Sequence, residues 1–212
     1  MKRTVEAICT GTARPFNGME TSAIAKRARE GIVQLLEDGF APDEQADRRV
    51  HGGPEMAVHL YPLDHHAWWR GELGELDLLD EPGAFGSNLA VGGLDEDAVH
   101  IGDRFRLGTA LIEVSQPRQP CWKIDHRFGR KGMTARIVET GRSGWYFRVL
   151  ETGEAQAGNA LERVARGEEE WSVARAFRCL VAGKASREEL QALAAMESLS
   201  PKLRERARGR LG

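Results

Sequence analysis

The chain has 212 residues, with 30 Lys and Arg against 32 Asp and Glu, a formal charge of −2 and 41% hydrophobic side chains. That balance supports a buried core, excludes a wholly disordered chain and argues against nucleic acid as the main partner. No run approaches the ~20 apolar residues of a bilayer crossing, and the start Met1-Lys2-Arg3 lacks the apolar stretch of a secretory leader. Cys9, Cys121 and Cys179 are odd in number and far apart, which fits a reducing cytosol better than a disulfide framework. A cytoplasmic protein with no membrane partner is expected.

Residues 4–11 alternate apolar and polar, the pattern of a half-buried strand. Residues 22–26 and 31–36 are short segments, separated from the next strand by Gly39, Pro42 and Gly52-Gly53-Pro54. Residues 57–61 read as that strand, and Pro62 is expected at the first position of a helix running to Trp69. Glycines punctuate residues 71–108. Strands are expected at 99–101, 104–107 and 110–115, short helices at 121–128 and 132–140, and strands again at 145–150 and 159–164. Many short strands with frequent glycine predict an antiparallel β-barrel or closed sandwich decorated by short helices.

The texture changes near residue 167. Trp171, Ala174, Phe177 and Val181 recur at helical spacing. Ser186 and Glu189 form a capping-box pattern, and Ser200-Pro201 opens a further helix with Leu203, Ala207 and Leu211 on one stripe. Residues 1–167 are therefore read as the β domain and 168–212 as a separate three-helix module, which could itself be a docking unit. The arginines of its last stretch suit a helix C-terminus.

Residues 104–136 carry eight Lys and Arg against Glu113 and Asp125, a net of about +6 in a near-neutral chain. This is either a solvated face or a local field suited to a compact anion. Within it lies Ser115-Gln116-Pro117-Arg118-Gln119-Pro120-Cys121-Trp122-Lys123. Two prolines stiffen the approach to Cys121, and Arg118, Lys123 and the start of a helix would favour its thiolate, the form that binds metals or attacks. The alternative is an inert buried thiol, as expected for Cys9 and Cys179. Paired glycines in Val50-His51-Gly52-Gly53-Pro54 permit close approach to a ligand and an anion nest, with His51 and Arg49 beside them; a plain turn is the alternative. His59 is two residues before Tyr61 on the next strand and faces the same side. His51, His59, His65 and His66 lack the spacing of a zinc site, and no Gly-x-Ser-x-Gly elbow is present. Asp43, Glu44 and Asp47 read as a solvated acidic loop.

The segments 43–47, 50–53, 57–62, Gly86-Ser87-Asn88-Leu89, Ile101-Gly102-Asp103 and 115–121, in this order, resemble the MOSC domain (molybdenum cofactor sulfurase C-terminal). The likeness is to its stand-alone bacterial YiiM-type members, which add a three-helix module. The resemblance implies a MOSC-type barrel whose pocket binds molybdenum cofactor, with Cys121 as the metal ligand. It implies reduction of small N-hydroxylated compounds, of hydroxylaminopurine or amidoxime type, with electrons from a separate flavin-dependent reductase. For this role His59 and His51 are candidate proton donors, because an ordinary imidazole titrates near neutrality. Arg49, His51, Gly52, Gly53, Asn88, Arg118 and Lys123 are the candidate cofactor contacts, and a homodimer is kept open. Ser87 stands where the family usually has Glu. That departure motivates an alternative, a cofactor-binding or sulfur-carrier protein holding a persulfide on cysteine.

Overall fold

The computed structural model describes residues 1–46 and 52–212. In chain order the first strands are β1 (Lys2–Thr10), β2 (Arg14–Asn17), β3 (Glu20–Ser22), β4 (Arg27–Ala28), β5 (Val33–Leu36), β6 (Gly39–Phe40) and β7 (Val58–Pro62). Helix α1 (Asp64–Leu73) leads to β8 (Leu89–Val91), β9 (Arg104–Leu107) and β10 (Ala110–Pro117). Helices α2 (Lys123–Phe128) and α3 (Met133–Thr140) precede β11 (Trp145–Glu151), β12 (Gly153–Ala155) and β13 (Ala160–Ala165). Helices α4 (Val173–Leu180), α5 (Arg187–Ala195) and α6 (Pro201–Gly209) end the chain.

Seven strands in the order β13-β9-β10-β11-β7-β8-β1 close into a barrel through the pairing of β13 with β1. Closure leaves no long free edge, which is how short strands of this kind avoid pairing with other chains. The alternation in β1 is what lets it sit in the wall with Val5, Ala7 and Cys9 buried. Register shifts in β10 between Leu111 and Ile112, and between Val114 and Gln116, bend that long strand around the wall.

Three local expectations are corrected. The barrel is not wholly antiparallel: β7 and β8 run parallel, with Leu60 opposite Leu89 and Pro62 opposite Val91. Parallel neighbours need a crossover of a dozen or more residues, and residues 63–88, containing α1, supply it. Pro62 therefore ends a strand, and the helix begins at Asp64. Residues 99–101 form a turn with a single bridge between His100 and Ser172. Asp103, fully buried, accepts bonds from His100 N at 3.1 Å and Gly167 N at 2.8 Å, which pulls that segment out of the sheet.

One continuous apolar core runs from Val5, Leu60 and Phe147 inside the barrel to Val173, Leu193 and Leu203 of the terminal helices. The three helices thus share one interior with the barrel, and two of them carry side-chain caps. Ser172 caps α4 by accepting from Arg175 N, and the Ser186–Glu189 capping box at the start of α5 is complete. A second cluster, with Tyr61 stacked on Phe85 at 4.1 Å and Trp69, Phe128 and Ile137 around them, packs α1, α2 and α3 outside the wall. Among the described residues no helix is long and apolar enough to cross a membrane.

Candidate functional site

A cleft enclosing about 720 Å³, its open mouth included, lies between the segment 22–26, the loop 43–46 with Gly52, the turn 85–88, and the chain from Arg118 to Lys123. His59 of β7 and Tyr146 of β11 form its floor. Four of the residues expected from sequence meet here with Cys121: His59, Asn88, Arg118 and Lys123. Gly52 also reaches the wall. Arg49 and His51 lie outside the described residues, as do Asp47 and Val50.

Cys121 is half-buried and lines the cleft, whereas Cys9 and Cys179 are sealed. Burial pushes the thiols of Cys9 and Cys179 up to about 12 and about 11. Cys121 stands just ahead of α2, its carbonyl accepting from Ile124 N at 3.1 Å and from Thr134 Oγ1 at 3.0 Å. Those bonds fix the backbone and leave the sulfur side facing the hollow. A free, accessible sulfur in a cleft is a soft ligand or a nucleophile; a sealed one is neither.

Arg118 is 5% exposed, and its Nη1 has no hydrogen-bond partner among the described residues. Its other terminal nitrogen reaches Phe85 O only at 3.4 Å. A buried guanidinium nitrogen without a partner is costly, and an anion in the cleft would satisfy it. The backbone around it is well held: Arg118 N donates to Gly144 O at 3.0 Å, and Ser143 Oγ donates to Arg118 O at 2.5 Å.

The basic stretch 104–136 is mostly spent elsewhere. Arg104 pairs with Glu113, Arg106 with Glu151, Arg127 with Glu81, and Arg136 with Glu72 and Glu139. Of its eight cations only Arg118 and Lys123 reach the cleft. The third cation of the wall, Lys26, carries no mark in the sequence. Its ammonium is buried against Asp43, and burial lowers its pKa while Asp43 opposes that shift. Asp43 is therefore not part of a solvated acidic loop. Its carboxylate also accepts from Gly11 N at 2.8 Å and Asn88 Nδ2 at 2.8 Å. Glu44 stays exposed, as expected, while accepting from Ala13 N at 2.6 Å.

Asn88 has a different role from the expected one. Its Oδ1 accepts from His59 N at 3.0 Å, and its Nδ2 donates to Cys9 O at 3.1 Å as well as to Asp43. The amide is committed to tying β7, β1 and the 43–46 loop together. Gly53 also departs from expectation: its N–H donates to Gln45 Oε1 at 3.1 Å, so it is not a free nest donor. Gly52 has φ +123°, and a Cβ there would come within 1.9 Å of that same oxygen, so glycine is what lets Gln45 close the corner. Ser87 is fully buried, its hydroxyl donating to Pro82 O at 3.2 Å outside the cleft lining.

His59 is corrected in its acid–base character. It is 3% exposed, and burial, with the nearby Arg118 charge second, pushes its imidazole down to about 3. The ring is neutral at pH 7 and cannot release a proton as an imidazolium. Its nitrogens face Gly86 O at 3.3 Å and Ser143 O at 3.5 Å. Tyr146, whose ring lies 5.0 Å from that of His59, is a floor residue that sequence reasoning missed. Burial raises its hydroxyl, so it stays protonated in the cleft. The signal available is the Trp145-Tyr146-Phe147 alternation, which puts the tyrosine on the opposite face from two core aromatics.

Comparison with known proteins agrees with this architecture. The family model for the MOSC domain matches residues 47–162, and that for the YiiM-like 3-alpha helix domain matches residues 171–211. Protein YiiM of Escherichia coli (strain K12) is 41% identical over 159 residues, spanning 75% of this chain and 71% of its own length. A protein named reductase from Gibberella moniliformis is 40% identical over 159 residues, which are 74% of this chain but 28% of that protein. The crystal structure of YiiM from Geobacillus stearothermophilus superposes with a TM-score of 0.85 at 30% identity, covering 100% of both chains. The chain belongs to the MOSC-domain family, in its YiiM-like branch with a C-terminal three-helix domain.

Proposed function

We propose that this protein is a cytoplasmic molybdenum-cofactor oxidoreductase that reduces small N-hydroxylated compounds, drawing electrons from a separate flavin-dependent reductase. The observation that carries the reading is the Arg118 Nη1, without a hydrogen-bond partner among the described residues, in the same cleft as the half-buried Cys121. A ligand with an anionic arm and a soft metal fits that donor set. The family match and the relative named reductase support the same direction.

Cys121 would hold the metal, and Arg118, Lys123 and Lys26 the anionic part. When bound, that group supplies two-electron chemistry and a position for the substrate oxygen. The net reaction is R–NHOH plus two electrons and two protons to R–NH2 and water. His59, held neutral, orients by hydrogen bonding and supplies no proton. Tyr146 keeps its proton at neutral pH and is the group on the floor able to hold the departing hydroxyl by a hydrogen bond. Phe85, Ala23 and Met56 give the cleft an apolar stretch of wall.

The test is metal content by mass spectrometry of wild type and Cys121→Ser, purified from a host that makes the cofactor, together with benzamidoxime reduction. Molybdenum near one per chain in wild type, lost in Cys121→Ser together with activity, is expected. Wild type without molybdenum, or a serine variant that still turns over, overturns the reading. A persulfide trapped on Cys121, with no benzamidoxime reduction by the reconstituted system, would favour the carrier alternative instead.

A further inference from the structure

The geometry points to Glu96 as a positioning residue that sets the place of Arg118 and His59 from behind the cleft wall. Glu96 is 5% exposed and lies in the connection between β8 and β9, outside the cleft lining. A carboxylate so deep must be fully bonded to be tolerated. Its Oε1 accepts from Ser143 N at 3.0 Å and Gly144 N at 2.7 Å, and its Oε2 lies 2.8 Å from His65 Nε2 of α1. One oxygen thus holds two consecutive amides, and the other anchors the carboxylate to a helix.

What those two amides belong to gives the contact its consequence. Ser143 is fully buried, its hydroxyl donates to Arg118 O, and its carbonyl faces His59 Nε2. Gly144 O receives Arg118 N. Gly144 has φ +72°, and a Cβ there would stand 2.2 Å from Leu60 O and 3.1 Å from His59 Nε2, so the turn is packed directly on β7. The two-residue turn touches the cleft's cation and its floor on one side and Glu96 on the other. A shift of the turn must move both. The main chain of Glu96 is itself tied to the terminal helices, its carbonyl accepting Ala174 N of α4 at 2.8 Å. Glu96 is therefore the point at which α1, α4 and the cleft wall meet.

This positioning role concerns the cleft of the proposed reductase and rests on that reading only for activity. Two variants test it. Glu96→Leu removes both acceptors at similar volume, and Glu96→Gln keeps one oxygen for the two amides. Nitrogen-15 NMR of the full chain reads the Ser143, Gly144 and Arg118 amides and the His59 ring. Glu96→Leu is expected to speed hydrogen exchange at Ser143 and Gly144 by at least about tenfold and to shift the His59 and Arg118 signals. Glu96→Gln is expected to restore them. In cofactor-loaded protein, Glu96→Leu should lower kcat/KM by about 10- to 100-fold, and Glu96→Gln should recover most of it. If Glu96→Leu does not fold, Glu96→Asp, whose shorter side chain draws the carboxylate back from both amides, must still displace the Arg118 and His59 signals. Unchanged His59 and Arg118 signals in a folded Glu96→Leu or in Glu96→Asp overturn the inference, as does a Glu96→Gln that behaves like Glu96→Leu. An inactive wild type would instead count against the reductase reading and leave the NMR result standing.

Discussion

Lys26 and Asp43 are the buried charges on which the cleft's shape depends. Removing one partner strands the other without water, at a cost of about 3–5 kcal/mol, while replacing both by apolar groups of similar size is far cheaper. Asp43→Leu should therefore lower the urea-unfolding free energy by about 3 kcal/mol. The double variant Lys26→Met, Asp43→Leu should recover only the part due to the stranded ammonium, because Gly11 N and Asn88 Nδ2 still lose their acceptor; no recovery at all would show that the ammonium is not what the single variant strands. His59 makes a pH prediction. Its ring titrates at about 3 when folded against 6.5 ordinarily. Above pH 6.5 both states are neutral; below it only the unfolded chain gains the proton, so stability is full above 6.5 and is lost as the pH falls toward 3. The gap corresponds to at most about 5 kcal/mol, with His66 and His100, both lowered by burial, acting in the same direction. Between about pH 7.5 and about pH 4.5, His59→Gln should lose less unfolding free energy than wild type; an equal loss would show that His59 is not the source. At this scale the sequence is informative about Cys121, because two prolines and flanking cations mark it. It is silent about Lys26 and Tyr146, because nothing local shows that a loop at 22–26 and a strand at 145–151 meet across the barrel.

Helices and strands obey local rules more closely than the site does. The capping box of α5 is written in Ser186 and Glu189, and Ser186→Ala should lower stability by about 1 kcal/mol, read as a lower thermal midpoint. The expected strand at 99–101 fails because the buried Asp103 carboxylate, bonded to His100 N, Gly167 N and Arg163, outcompetes sheet pairing. Pro62 departs from its expected place because the crossover that a parallel pair demands is a tertiary requirement. Helices α4–α6 look independent in sequence, yet their apolar faces complete the barrel's interior. A chain ending at residue 167 should therefore lose its cooperative thermal transition; retention of a sharp transition in calorimetry would show that the barrel closes its core alone.

At the scale of the whole molecule, the class of fold is readable from many short strands between glycines, and the parallel seam is not. The overall charge of −2 also hides how the cations are distributed. Most arginines of the basic stretch neutralise neighbours, and the cleft draws its field from residues far apart in the chain. Closure has a further effect. Strand β1 pairs with both β8 and β13, so the amino-terminal strand waits for residues 160–165 before it has both neighbours. On the ribosome, a nascent chain that has exposed Cys121 still lacks β11, β13 and the terminal helices, and non-local pairing of this kind is slow. Any prosthetic group must accordingly be delivered after synthesis, to a finished receptor rather than to an emerging one.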